Sequence, residues 1–344
     1  MDFNGRVALV TGGGRGIGRA TALGLARGGA DVIVNYLRDC DSANEVVEII
    51  RSSGRKAVSV QADVGSQPEV EALFAQVDSS FGKLDILVNN AALGGPKPLE
   101  EIDLDFWDRI LRTNLTGPFL CTQAAAKRMI PRRYGRIVNL SSLAGVRGGD
   151  MNSAYTASKA GLMGFTKSAA RYLGKHNITV NCVSPGPIET EFSRQLPEHM
   201  RANVAKLSAL GHAGTPEDAA DAILFFASDL SRHVTGQMIL ADGGIEMPSS
   251  ERERFEVQSC GRTRSFEYGR MGRFWAGIVG PLRCLPTPGR ARVMPKGEDG
   301  YGKSDAREQR SRSVCRDAQF PGGRPCFPEP RDRCRSDPGS HRNP

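Results

Sequence analysis

Val7-Ala8-Leu9-Val10-Thr11-Gly12-Gly13-Gly14-Arg15-Gly16-Ile17-Gly18 is the stretch from which the fold of this chain follows. Four apolar residues in an unbroken run describe a short strand buried on both faces, as strands of a parallel sheet are. Five glycines fall within Thr11–Gly18, and a helical stretch carrying Ala20, Leu23, Leu25 and Ala26 follows before Gly28-Gly29. Strand, glycine loop and helix in that order place backbone N–H groups and a helix N-terminus where a pyrophosphate binds. The spacing of Gly12, Gly16 and Gly18 is GxxxGxG, not the longer GxGxxG pattern. A glycine-rich turn without a ligand is the plainer alternative, and its position between a buried strand and a helix favours the nucleotide site.

The same alternation repeats downstream. Strands are expected at 32–34, 57–60, 84–88, 136–140, 178–183 and 237–240, with amphipathic helical stretches between them. This predicts an α/β protein, a Rossmann-type doubly wound seven-stranded parallel sheet in a single domain, complete by about residue 247. Asn89-Asn90, Ser141-Ser142 and Ser184-Pro185-Gly186-Pro187-Ile188-Glu189-Thr190 then fall at the carboxyl ends of strands, where such sheets bind ligands. A polar helical segment over 191–210, between the turn at 184–190 and Gly211, is a candidate lid.

The second strand ends at Asn35-Tyr36-Leu37-Arg38, without the acid that binds the ribose hydroxyls in many NAD sites. Arg15 and Arg38 suit a 2′-phosphate instead. NADP(H) is therefore favoured over NAD(H).

Tyr155 and Lys159 are four residues apart, hence on one face of a helix. A nearby ammonium favours the ionised phenol, so the pair can move a proton to or from a carbonyl or alcohol oxygen. Ser142 lies one short loop upstream and could hold that oxygen. Alone, the pair would describe a solvated helix face.

The chain has 344 residues and a formal charge of +8, all of it contributed by residues 249–344, which hold 18 Arg and 2 Lys against 12 acids. Only 12 of those 96 residues are Leu, Ile, Val or Phe, and 22 are Gly or Pro. The expected organisation is a folded domain over 1–248 and a disordered basic tail over 249–344. The tail's five cysteines have no metal-ligand spacing and its aromatic residues are sparse, so neither a metal nor nucleic acid is an expected partner. An extension read in a shifted frame would look the same. No apolar run approaches a membrane span, no signal peptide is evident, and Cys40, Cys121 and Cys182 are far apart; a cytoplasmic protein with reduced thiols is expected.

Together, TGGGRGIG at Thr11–Gly18, Asp63-Val64, NNAA at Asn89–Ala92, Asn114, Ser142, YxxxK at Tyr155–Lys159 and Pro185–Thr190 resemble a short-chain dehydrogenase/reductase over residues 5 to about 247. The likeness is greatest to 3-oxoacyl-acyl-carrier-protein reductases and to related sugar and alcohol dehydrogenases. It implies a catalytic set of Asn114, Ser142, Tyr155 and Lys159, with Tyr155 as acid or base. Lys159 lowers its pKa and holds the nicotinamide ribose, Ser142 binds the substrate oxygen, and Asn114 holds a relay water. It implies a cofactor held by Gly12, Arg15, Gly16, Ile17, Gly18, Arg38, Asp63, Val64, Asn90, Tyr155, Lys159, Pro185, Gly186, Ile188 and Thr190. It also implies a homotetramer and a small or carrier-bound ketone. Arg133 matches one basic carrier-docking position, while the second falls at His176 beside Lys175. A non-catalytic nucleotide-sensing regulator is the alternative from another class, with little need of an intact catalytic set.

Overall fold

The apolar run Val7–Val10 forms strand β1, and its alternate residues divide between two cores. Ala8 and Val10 pack with Leu25, Ile223 and Phe226 on one face. Val7 and Leu9 pack with Leu73, Phe74, Cys121 and Met129 on the other. Neither face meets water, which is why the run has no polar alternation. The structure, a computed structural model, describes residues 1–149, 152–194, 204, 206–247, 253–259 and 262–268.

Strands β2 (Asp31–Tyr36), β3 (Ala57–Gln61), β4 (Ile86–Asn89), β5 (Gly135–Leu140), β6 (Ile178–Pro185) and β7 (Met238–Ala241) complete a seven-stranded sheet in the order β3-β2-β1-β4-β5-β6-β7. Every neighbouring pair is parallel. The order reverses between β1 and β4, so their carboxyl ends border the crevice where ligands bind in open α/β sheets.

Helices α1 (Gly16–Arg27), α2 (Cys40–Ser52) and the helix Pro216–Ala227 cover one face. Helices α3 (Gln67–Phe81), α5 (Gly117–Arg132) and α7 (Ser153–Leu173) cover the other. Burial outweighs local preference in this packing. In α2 the β-branched Val46, Val47 and Ile50 each cost about 0.5 kcal/mol of helix propensity. Full burial of each returns ~1.5–3 kcal/mol.

Two helices with Asn114 between them were expected near 106–129. They are instead joined: α4 (Leu104–Leu111) runs into a π-helical turn over Arg112–Thr116 and on into α5. Such turns put one extra residue into the helix and frequently mark functional positions.

The chain divides into a compact unit, Met1–Gly280, and the segment Pro281–Pro344, which lies outside the described residues. Beyond 248, where no regular element was expected, Glu253–Ser259 and Arg262–Tyr268 pair as an antiparallel hairpin with Phe255 opposite Phe266. The local alternation at Phe255/Val257 and Phe266/Tyr268 is a strand signal that average composition over a long segment hides. The disorder expected for the rest of 249–344, and half of the lid expected over 191–210, fall outside the described residues. Among the described residues, no helix is long and apolar enough to cross a membrane, and no cluster of His, Cys, Asp or Glu could hold a metal ion.

Candidate active site

The glycine loop is tied down on both sides. Thr11 Oγ1 accepts from the N–H groups of Asn90 and Ala91, both at 3.0 Å. Asn90 Nδ2 donates to the carbonyls of Thr11 at 2.8 Å and Gly12 at 3.0 Å. Gly12 and Gly16 adopt φ of +61° and +51°, which a side chain would strain. Arg15 precedes α1 in an extended conformation and gives the helix no side-chain cap. The first-turn N–H groups of α1 therefore have no intrahelical or side-chain acceptor, the condition for binding an anion. Loop and helix end fit a dinucleotide pyrophosphate.

The segment after β6 closes against this loop. Gly186 N–H donates to Ala241 O at 2.9 Å, and Ile188 forms an isolated bridge with Gly214. A Cβ on Gly16 would lie 3.4 Å from Thr190 Cγ2, so the structure brings the first and last parts of the expected cofactor site together. Thr190 and Ser193 exchange hydrogen bonds that shape the short helix Glu191–Arg194.

At the end of β2, Tyr36 Oη lies 3.2 Å from Cys40 Sγ, and Arg38 is exposed. Arg15 reaches Glu191 Oε2 at 3.1 Å, an exposed pair of small energetic weight. Asp39 caps α2; the hydroxyl and N–H of Ser42 hold its carboxyl below the usual range. After β3, Asp63 accepts from Gly65 N–H at 2.8 Å, and Val64 is buried against Gly117.

The residues expected to move a proton come together near the carboxyl end of β5. Ser142 caps α6 (Leu143–Arg147), accepting from Ala144 N–H at 3.2 Å, and hydrogen-bonds Tyr155. Burial raises the Tyr155 pKa above its ordinary value, and the Ser142 contact opposes that rise. Lys159 Nζ donates to Leu140 O at 2.7 Å and lies 5.6 Å from the Tyr155 ring centre. Asn152 caps α7 through Tyr155 N–H at 2.9 Å, while its amide donates to Gly95 O at 2.7 Å. Asn114, fully buried in the π-helical turn, accepts from Leu93 N–H and donates to Leu93 O and Ser158 Oγ. The loop after β4 is thus pinned beside the tyrosine by two asparagines.

Burial pushes the Lys159 amine down to about 8 from 10.5. Between those values the unfolded chain holds a proton that the fold has released, so this group adds stability as pH rises through the window. The gain approaches ~3 kcal/mol. Tyr155, with its pKa raised, subtracts stability only above the ordinary phenol value of 10.0. Denaturant unfolding from about pH 7 to pH 10 should show wild type gaining on Lys159→Met; a difference independent of pH would contradict the assignment.

The structure thus brings Gly12, Gly16 and Asn90 together with Thr190, and Ser142 together with Tyr155 and Lys159. Thr11, Asn35 and Asn152 were missed. Asn three residues before Tyr155 is an N-cap signal that could have found Asn152; Thr11 and Asn35 act through contacts distant in sequence. Away from the crevice, Arg133 ends α5 in a left-handed conformation and donates to Lys175 O at 3.3 Å, so Arg133, Lys175 and His176 share one surface.

This fold and site define a nicotinamide-dependent oxidoreductase of ketones and secondary alcohols. A family model described as enoyl-(acyl carrier protein) reductase matches residues 12–246. The chain is 41% identical over 243 residues to a 3-oxoacyl-[acyl-carrier-protein] reductase of Synechocystis, covering 70% of this chain and 97% of the relative. It is 42% identical over 240 residues to the reductase of that name in Staphylococcus aureus, covering 70% and 98%. A solved structure assigned as a gluconate dehydrogenase of Agrobacterium tumefaciens superposes with a TM-score of 0.69 at 36% identity, over 71% of this chain and 97% of that one. One assigned as a short-chain alcohol dehydrogenase of Sinorhizobium meliloti gives 0.67 at 37%, over the same shares. The chain belongs to the short-chain dehydrogenase/reductase family.

Proposed function

We propose that the chain reduces a 3-oxoacyl thioester, presented on an acyl carrier protein, to the secondary alcohol with NADPH. The observation that carries this reading is the Ser142–Tyr155 hydrogen bond beside the buried Lys159. Tyr155 gives its proton to the substrate oxygen while Ser142 holds that oxygen by a second hydrogen bond. Lys159 binds the nicotinamide ribose and favours the phenolate left behind. Asn114 holds a water that returns a proton to Lys159. The cofactor, when bound, supplies the hydride.

Gly12, Gly16, Ile17 and Gly18 enclose the pyrophosphate, and Arg15 and Arg38 meet the 2′-phosphate. Asp63 and Val64 hold the adenine, Asn90 the adjacent ribose, and Pro185, Gly186, Ile188 and Thr190 the nicotinamide. Arg133 with Lys175 and His176 offers an acidic carrier a basic surface. The protein works in the cytoplasm as a homotetramer, with exposed Phe119 on α5, Tyr172 on α7 and Met238 on β7 at its contacts.

Reduced-nicotinamide absorbance tests this. NADPH should be oxidised faster than NADH with 3-oxoacyl thioesters, and faster than with 2-enoyl thioesters. Preference for the enoyl thioester, or for NADH, would overturn the substrate or cofactor assignment. The likeness to structures assigned as gluconate and alcohol dehydrogenases favours a second reading, in which Tyr155 is the base in oxidation of a sugar or alcohol. The same assay run with NADP and those alcohols separates the two.

A further inference from the structure

We propose that Asn35 is a positioning residue for the dinucleotide, a single side chain that fastens the pyrophosphate loop to the adenine end of the site. This rests on the dinucleotide reading above. Asn35 is the next-to-last residue of β2 and has 2% of its surface exposed. Its Oδ1 accepts from Gly12 N–H at 3.3 Å, and its main-chain carbonyl accepts from Gly13 N–H at 2.9 Å. On the other side its Nδ2 donates to Ala62 O at 3.0 Å and Val60 O at 3.3 Å, immediately before Asp63-Val64. One amide therefore spans from the turn after β1, across β2, to the end of β3.

Two consequences follow from the chemistry of these bonds. A loop of glycines has many conformations open to it, so its shape depends on external ties. Asn90 grips the loop by its carbonyls and Asn35 by its N–H groups, which fixes the peptide planes on both sides of Gly12. With the Gly12 and Gly13 N–H groups turned toward β2, phosphate binding falls to the later loop and the first turn of α1. The second consequence is coupling. A shift at the loop is transmitted through the same amide to the β3 carbonyls, so both halves of the adenosine-diphosphate site should loosen together.

The side chain has no simple substitute. Asp would accept from Gly12 but set a carboxylate against the carbonyls of Val60 and Ala62, with no proton to offer them. Leu has similar bulk and offers neither bond, leaving buried polar groups unpaired. Asn181 on β6 is a matched comparison: it too is fully buried, accepts from Gln237 N–H at 3.0 Å and donates to Val234 O at 2.8 Å, away from the glycine loop.

The test is fluorescence titration of the full chain with NADPH and competition by 2′,5′-ADP, beside steady-state kinetics and thermal melting. Asn35→Leu and Asn35→Asp should weaken both ligands about tenfold or more. KM for NADPH should rise while kcat at saturation stays within about twofold, because the tie does not touch the reacting groups. Asn181→Leu should melt at a similarly lowered temperature with both affinities unchanged. Asn35→Ser, which keeps a smaller donor and acceptor, should fall between wild type and Asn35→Leu and serves if the larger change prevents folding. NADPH affinity unchanged in the Asn35 variants, or weakened equally by Asn181→Leu, would overturn the proposal. A wild-type chain that binds neither NADPH nor NADH would overturn the dinucleotide reading beneath it.

Discussion

Replacing Tyr155 with Phe should lower turnover about 10³-fold while leaving NADPH affinity within about twofold. The size follows from what a positioned acid contributes, typically 10²–10⁴ in rate. The selectivity follows from the structure: the ring stays, and with it the packing at the start of α7, where Asn152 caps the Tyr155 N–H whatever the side chain carries. What disappears is the phenol hydroxyl bonded to Ser142. Ser142 keeps its bond from Ala144 N–H, so its own position should hold. The loss should therefore appear in kcat, with the melting temperature close to that of wild type. Retained turnover in Tyr155→Phe would exclude the tyrosine as the acid and leave Ser142 or a bound water to donate the proton.

The electrostatics of this residue also correct a simple expectation. An ammonium four residues along the helix suggests a phenol with a lowered pKa. In the structure Lys159 turns to Leu140 O, and burial raises the phenol, with Ser142 the group that opposes the rise. Spacing along a helix gives adjacency, and the sign of a pKa shift also depends on burial, which is a property of the whole fold.

That distinction explains how much could be read in advance. The sheet was legible because a buried parallel strand needs a short apolar run, and β1, β2 and β4 supply unbroken ones. The adjacency of Ser142, Tyr155 and Lys159 was legible because YxxxK and the upstream serine sit within one helix and one loop. The π-helical turn was not, because the register gained at Arg112–Thr116 is set by what Asn114 reaches, namely Leu93 and Ser158, 21 and 44 residues away. Asn35 was hidden for the same reason: its partners Gly12 and Ala62 are 23 and 27 residues distant, just beyond the ends of two other strands. Its polarity marked it only as a residue that is not an acid. The hairpin beyond 248 failed differently, since a short alternation was averaged away within a long basic segment.

Gly18→Ala should weaken NADPH binding about a hundredfold or more in a protein that still folds. On helix propensity alone the change is favourable, since Ala exceeds Gly by about 1 kcal/mol inside a helix. The contacts oppose it. A Cβ at Gly18 would collide with Gly12 O and sit 2.6 Å from Asn90 Nδ2. The first is backbone, and the second belongs to an amide already bonded to Thr11 O and Gly12 O, so neither can swing away as a flexible chain end would. Overpacking of this kind costs about 1–3 kcal/mol, which the propensity gain partly offsets, so the net change in stability should be small. The relief must come from the loop: Gly12 has to move off α1, and the Asn90 clamp has to open. That displacement falls on the groups that cradle the pyrophosphate, where a shift of about 1 Å can cost 10²-fold. The expected pattern is a melting temperature near that of wild type beside a large loss of NADPH affinity. NADPH binding within about threefold of wild type would mean that the close packing of Gly18 on Gly12 plays no part in holding the cofactor.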